Sequence, residues 1–172
     1  AAGDAGGALG AALLLWYDEF ENKREIINKD SMKGSYLGPS YKHQTIEEDL
    51  KAIGAHYELF DDEKLIEFSA DALGRGKIIG WFQGRMEFGP RALGNRSILA
   101  DPTSVEMQKN LNLKVKFRES FRPFAPSILR ENLEEWFSLN VDSPYMQLVS
   151  NINDEKTIKM TDEEQKLFGI KK

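Results

Sequence analysis

The chain has 172 residues, 41% of them hydrophobic and 30% charged, with no cysteine and a formal net charge of -5. That length builds one domain with a real core or pieces of two, and the composition is globular rather than disordered. Without cysteine, disulfides and thiolate metal sites are excluded and a reducing, cytoplasmic compartment fits. The longest apolar run, residues 8–16, falls far short of the roughly 20 residues that span a bilayer, so no membrane partner is expected.

Asp4 offers a side-chain oxygen to cap a first helix, whose small residues at 5–12 precede Leu13, Leu14, Leu15 and Trp16. Such a helix is apolar nearly all round and wants cover on most sides. It reads as an element of a neighbouring domain, and a chain that begins at Ala1 reads as a piece of something longer. Residues 22–44 are polar and irregular, with Gly34 and a Gly38-Pro39 turn, and read as a crossing between domains. Thr45, Ile46, Glu47 and Glu48 spell a capping box, followed by a stripe of Ile46, Leu50, Ile53 and Tyr57. Another helix is predicted from about Asp62, carried by Leu65, Ile66, Ala72 and Leu73 and stopped by Gly74 and Gly76.

Residues 77–83 form a β-rich run bounded by glycine and are predicted as a buried strand, with Ile98-Leu99 as a second. Ser104 is placed to cap a helix reaching about Leu113. Pro123 and Pro126 rule out a continuous helix over 117–128. A short helix over 129–137 would bury Leu133, Trp136 and Phe137, and Thr161 to Glu164 form a last capping box before a stop at Gly169. Helices with short buried strands predict an α/β fold, with α+β as the alternative.

Charge is concentrated where the glycines are. Between Gly84 and Arg122 eight basic residues (Arg85, Arg91, Arg96, Lys109, Lys114, Lys116, Arg118 and Arg122) face four acids, in a chain that is acidic elsewhere. Residues 84–97 follow the predicted strand, where ligand loops usually sit. Glycines there let backbone N–H groups turn to an anion, and guanidinium forks bind phosphate or carboxylate two-pronged. The spacing is neither a P-loop nor a dinucleotide fingerprint. A second cluster at 116–123 repeats the theme, and Lys116 and Arg118 point the same way if that stretch is extended. Neither cluster holds a histidine, a cysteine or a pair of carboxylates. The residue types therefore suit stabilisation of a polyanionic transition state better than acid–base or covalent catalysis.

The plainer reading is that these arginines fasten loops through Glu87, Asp101 or Glu119, yet the cations outnumber those partners. Single-stranded nucleic acid is a further alternative, because Phe82, Phe88, Phe117, Phe121 and Phe124 interleave with the cations. Aromatics at such spacing are more often core residues, and overall acidity disfavours a long polyanion. A non-catalytic structural domain is the remaining alternative. His43, placed in the crossing, and His56, placed on the helix after it, have no paired metal ligand.

The run from Gly80 through Gly84-Arg85-Met86-Glu87-Phe88-Gly89-Pro90-Arg91-Ala92-Leu93-Gly94-Asn95-Arg96-Ser97 to Pro102 closely resembles the O-carbamoyltransferases of nodulation-factor and antibiotic biosynthesis. Lys116-Phe117-Arg118-Glu119-Ser120-Phe121-Arg122-Pro123-Phe124-Ala125-Pro126 and Ser143-Pro144-Tyr145-Met146 continue the likeness. The resemblance implies the last helix of an actin-like ATPase (ASKHA) transfer domain at 1–24 and an inter-domain segment with one helix at 25–60. It implies the first part of a YrdC-like carbamoyl-adenylate domain, a partial twisted mixed sheet with helices, at 61–172.

It further implies formation of carbamoyl-adenylate from carbamoyl phosphate and ATP, and transfer of the carbamoyl group to a hydroxyl-bearing acceptor, a sugar or natural product. By the same resemblance Arg91, Lys116 and Arg122 contact the adenylate or its phosphates. Arg85, Arg96, Arg118, Asn95 and Ser97 follow as nucleotide-binding or loop-positioning residues. Asp4 corresponds to a ligand of a divalent metal, Fe or Mg, whose histidine partners lie upstream in the family. Later family segments are not in this chain, which implies half of the adenylate site and no activity for the chain alone.

Overall fold

The computed structural model describes residues 3–166, with the side chains of Asp4, Glu164 and Gln165 outside the described set. The expected stop at Gly169 also lies outside the described residues. Two compact units divide the chain. One comprises Ala1–Asp101 with Pro144–Met146, the other Pro102–Ser143 with Gln147–Lys172.

In the first unit, α1 (Asp4–Leu14) is capped by Gly3, at φ 80°, rather than by Asp4, which is already its first residue. The Gly6 and Gly7 N–H groups donate to the Gly3 carbonyl. A π turn, Leu15–Glu19, continues the helix. Its apolar surface stays largely open, with Leu14 61% exposed and Trp16 51%.

Helix α2 (His43–Ala52) starts two residues before the expected capping box. Thr45 therefore lies inside the first turn and caps nothing. His43 opens this helix and His56 follows it, the reverse of the sequence assignment. Intrahelical pairs, Gln44 to Glu48 and Lys51 to Glu47, supply the local order that a cap would have supplied. The expected stripe is not buried: Ile46 and Ile53 are exposed, Leu50 is half-buried, and Tyr57 lies beyond the helix.

Helix α3 (Asp62–Gly74) follows the sequence closely. The Asp61 carboxylate accepts the Lys64 N–H at 2.8 Å, a cap worth about 1 kcal/mol, and Gly76 at φ 74° turns the chain out. It packs on β1 (Ile79–Phe82), which pairs antiparallel with β2 (Arg96–Leu99) in the register Ile79 to Leu99 and Phe82 to Arg96. The first strand is not buried as expected: its residues alternate between half-buried and exposed, the pattern of a sheet covered on one face. The hairpin matters because the glycine- and arginine-rich stretch is its connecting loop, and both loop ends are fixed by the ladder.

In the second unit, α4 (Met107–Asn110) runs into a π turn, Leu111–Val115. Met107 and Leu111 are buried and Asn112 is wholly enclosed. Ser104 does not cap α4 with its side chain; its carbonyl accepts the Met107 N–H, and Glu106 holds the cap position. The chain from 117 to 128 has no helix, as its two prolines require. Helix α5 (Leu133–Trp136) buries Leu133. Trp136 is exposed, contrary to expectation, and its ring lies under the Lys156 ammonium at 4.8 Å. Phe137 forms a single antiparallel bridge with Ile152, and α6 (Asp162–Gln165) follows Thr161.

Helices and short strands are thus both present, a mixed α/β arrangement whose sheet has two antiparallel strands among the described residues. No helix of the described residues is long and apolar enough to cross a membrane.

Candidate functional site

The hairpin loop is organised around a buried carboxylate. The Glu87 side chain is fully enclosed, and its Oε1 accepts the N–H groups of Leu93 at 2.7 Å, Asn95 at 2.8 Å and Arg96 at 3.3 Å. Its Oε2 accepts Arg96 Nε at 2.9 Å, and Arg96 Nη2 donates on to the Gly89 carbonyl at 2.8 Å. Burial by itself would raise the Glu87 pKa. The Leu93 N–H, the Arg96 guanidinium and the Asn95 N–H outweigh it and hold the carboxyl at about 2. Backbone N–H groups of Leu93, Asn95 and Arg96, none of them a glycine, form a cradle for an anion here, and the protein's own carboxylate fills it.

This arrangement sorts the arginines of the loop. Arg96 and the Asn95 backbone are committed to Glu87. Arg85 donates to the Gly38 carbonyl at 2.6 Å, and the Asn95 side chain donates to the Arg85 carbonyl at 2.7 Å. Ser97 sits in β2 opposite Trp81, partly buried. Arg91 is exposed on the 90–92 tip and has no side-chain partner among the described residues. It is the guanidinium in this loop left for an external anion.

The crossing 22–44 turns out to brace this loop. The Phe88 N–H donates to the Ser35 carbonyl, Gly38 N–H to Met86, and Met86 N–H to Pro39. Tyr36 Oη donates to the Leu93 carbonyl at 2.8 Å. Residues 33, 34 and 35 all have left-handed φ, between 50° and 68°, which is costly for Lys33 and Ser35. The Asp30 carboxylate offsets that cost by accepting the Met32 and Gly34 N–H groups and the Tyr145 hydroxyl. The Tyr145 hydroxyl first, then the Gly34 N–H, hold Asp30 below its ordinary pKa.

The second cation cluster belongs to the second unit and is organised by an amide. Buried Asn112 donates from Nδ2 to the carbonyls of Ser120 at 3.1 Å and Arg122 at 2.8 Å. Its Oδ1 accepts Arg118 Nε at 2.6 Å, and Arg118 also covers the Phe124 ring at 4.9 Å. Lys116 closes the π turn in a helical conformation and Phe117 has φ 50°, so this stretch is not extended as expected. Lys116 and Arg118 accordingly differ: Lys116 is exposed without a side-chain partner among the described residues, and Arg118 is partly buried and engaged. Arg122 pairs with Glu119 at 2.8 Å, both half-exposed. An ion pair in that setting is worth about 0–1 kcal/mol and exchanges readily for a ligand anion. Replacing Asn112 by Ala should strip three hydrogen bonds from the 118–122 loop and cost roughly 1–3 kcal/mol, read as a lowered melting temperature.

Among the described residues no three His, Asp or Glu side chains converge as metal ligands. The Asp4 side chain, singled out for that role, lies outside the described set. The sequence reading missed Tyr36, Asp30 and Asn112 as organisers. The one available signal was a buried-stripe position, 112, held by a polar residue between Leu111 and Leu113.

Fold and site together define a mixed helix-and-sheet protein that carries braced loops rich in glycine and arginine. Residues 70–165, more than half of the chain, match the family model described as Carbamoyltransferase C-terminus. The chain belongs to the carbamoyltransferase C-terminal family. It is 51% identical, over its whole length, to an uncharacterized protein of Synechocystis sp., of which it spans 28%. It is 42% identical to the nodulation protein NolO of Bradyrhizobium diazoefficiens, over 91% of this chain and 28% of that protein. Over 52% of its length it is 40% identical to 3'-hydroxymethylcephem-O-carbamoyltransferase of Streptomyces clavuligerus, covering 17% of that protein. The chain thus spans less than a third of each of these relatives.

Proposed function

We propose that this chain carries part of the adenylate-forming domain of a carbamoyltransferase, in which water cleaves carbamoyl phosphate to carbamate and inorganic phosphate. The carbamate oxygen then attacks the α-phosphorus of ATP, pyrophosphate leaves, and the carbamoyl group of the adenylate passes to a hydroxyl acceptor with release of AMP. The observation that carries the reading is Arg91, a guanidinium exposed on a tightly braced loop and without a side-chain partner among the described residues, in a chain of this family. When pyrophosphate leaves the α-phosphorus, negative charge builds on its oxygens. A fork already held in place stabilises that charge with little reorganisation. Lys116 offers a point charge to a phosphate or carbamoyl oxygen, and Arg122 can give up Glu119 for a ligand anion. Arg85, Arg96 and Asn95 act by shaping the hairpin loop, with Ser97 on its strand β2, and Arg118 acts by shaping the loop of the second unit. The assignment of 1–24 to an actin-like transfer domain and the metal role of Asp4 belong to the same proposal, and no step here runs through a metal.

The test is pyrophosphate release by the carbamoyltransferase that carries this chain, supplied with ATP, carbamoyl phosphate and a hydroxyl acceptor. One pyrophosphate per carbamoyl group transferred is expected. Carbamoylated product without pyrophosphate would overturn the adenylate route. Salt-sensitive binding of a single-stranded oligonucleotide, with no turnover, would favour the exposed phenylalanines, Phe117 above all at 85% exposure, as a stacking surface instead.

A further inference from the structure

We infer that Tyr36 is a positioning residue for Arg91, an inference that rests on the role just proposed for that arginine. Tyr36 lies 57 residues before Leu93, yet its hydroxyl holds the Leu93 carbonyl at 2.8 Å. The N–H of the same residue is held by Glu87 at 2.7 Å, so both polar groups of Leu93 are engaged. On the other side of the tip, Arg96 Nη2 holds the Gly89 carbonyl at 2.8 Å. The exposed residues between these two anchors are Pro90, Arg91 and Ala92. A three-residue span pinned at both ends has few backbone states left, and proline removes one more.

The seat of Tyr36 is itself specific. A Cβ on Gly34 would lie 2.9 Å from the Tyr36 ring, at a φ of 68° that a side chain resists. A Cβ on Gly94, at φ 118°, would meet the Tyr36 hydroxyl at 3.5 Å. Glycine at 34 leaves the ring room to pass, whereas at 94 the contact would be an ordinary one and the φ of 118° is what calls for glycine. The turn beneath the ring is fixed in turn by Asp30, which binds the Gly34 N–H at 2.8 Å and the Tyr145 hydroxyl. Among the described residues neither Tyr36 nor Asp30 nor Tyr145 hydrogen-bonds to the 90–92 tip. Tyr36 acts through Leu93, by limiting the orientations from which Arg91 starts.

Tyr36→Phe keeps the ring and removes the hydroxyl. In the carbamoyltransferase that carries this chain, pyrophosphate release should fall about tenfold in kcat, with KM for ATP within about twofold of wild type, because a looser tip costs Arg91 part of its alignment on the transition state. Trypsin reads the pin without reference to activity: cleavage after Arg91 should quicken several-fold in Tyr36→Phe at a temperature where both proteins are folded. The decisive comparison is Tyr36→Phe in an Arg91→Ala background, where it should have no further effect on the rate. An equal loss in both backgrounds would show that the hydroxyl does not work through Arg91, and unchanged cleavage would show that it does not pin the tip. If Arg91→Ala itself releases pyrophosphate normally, the functional reading fails, whereas a defective Arg91→Ala beside a normal Tyr36→Phe overturns the positioning role alone.

Discussion

Glu87→Gln should lower the melting temperature by roughly 5–15 °C, the equivalent of about 2–4 kcal/mol. The carboxylate accepts four hydrogen bonds, three from backbone N–H groups and one from Arg96. An amide of the same shape keeps one acceptor oxygen and turns an NH2 toward donors. It also leaves the Arg96 guanidinium, partly buried, without its counter-charge. The pH dependence gives the same group a second signature. Its carboxyl sits at about 2 in the folded chain against an ordinary 4.5. A group whose pKa is depressed by folding stabilises the fold above its ordinary value and loses that contribution as pH falls toward the folded value. Wild type should therefore lose about 3 kcal/mol between pH 4.5 and pH 2 from this group, a loss absent from Glu87→Gln. Glu119→Gln is the contrast: its partner Arg122 is half-exposed, and melting should move by less than a degree or two. Equal melting of Glu87→Gln and wild type at pH 7 would remove Glu87 from the centre of the loop.

What was legible in the sequence is what local chemistry dictates. Helix α3 has a capping aspartate in front and glycines behind, and it forms where those signals stand. The strand before the arginine loop and the irregular stretch around Pro123 and Pro126 are equally local. Misplacements arose where a local signal competed with another of similar size. Thr45 spells a good cap, but the chain was already helical two residues earlier, with side-chain pairs from Gln44 and Glu47 to the following turn. Trp136 looked like core by type, and a lysine ammonium over its ring leaves the rest of it exposed instead.

The bracing of the site was not legible because it is long-range. Tyr36 reaches Leu93 and Asp30 reaches Tyr145, 115 positions on, and no periodicity encodes such pairings. Glu87 illustrates the limit best. The sequence offers it as one of several carboxylates to pair with an arginine, whereas the fold makes it the occupant of the anion cradle. That assignment changes the chemistry expected of the loop. Backbone N–H groups at 93, 95 and 96 are spent inside the protein, so those three are closed to an external anion.

Arg91→Ala should then reduce pyrophosphate release by roughly a hundredfold or more, the scale on which a preorganised donor to a developing oxyanion acts. Melting should stay at the wild-type value, because the side chain is exposed and engages no acceptor among the described residues. That separation of activity from stability distinguishes Arg91 from Arg96, whose removal should lower both by freeing Glu87 and the Gly89 carbonyl. Arg91→Lys should recover part of the rate, since the charge remains and the two-pronged fork does not. Arg75→Ala removes another exposed arginine, one that follows α3 and pairs back to Asp71, and should leave turnover unchanged. Steady-state pyrophosphate assays on these variants beside thermal melts give the full pattern. Normal turnover in Arg91→Ala would move the anion-binding role away from the hairpin loop, leaving the loop as a braced scaffold whose exposed tip contributes nothing to the transition state.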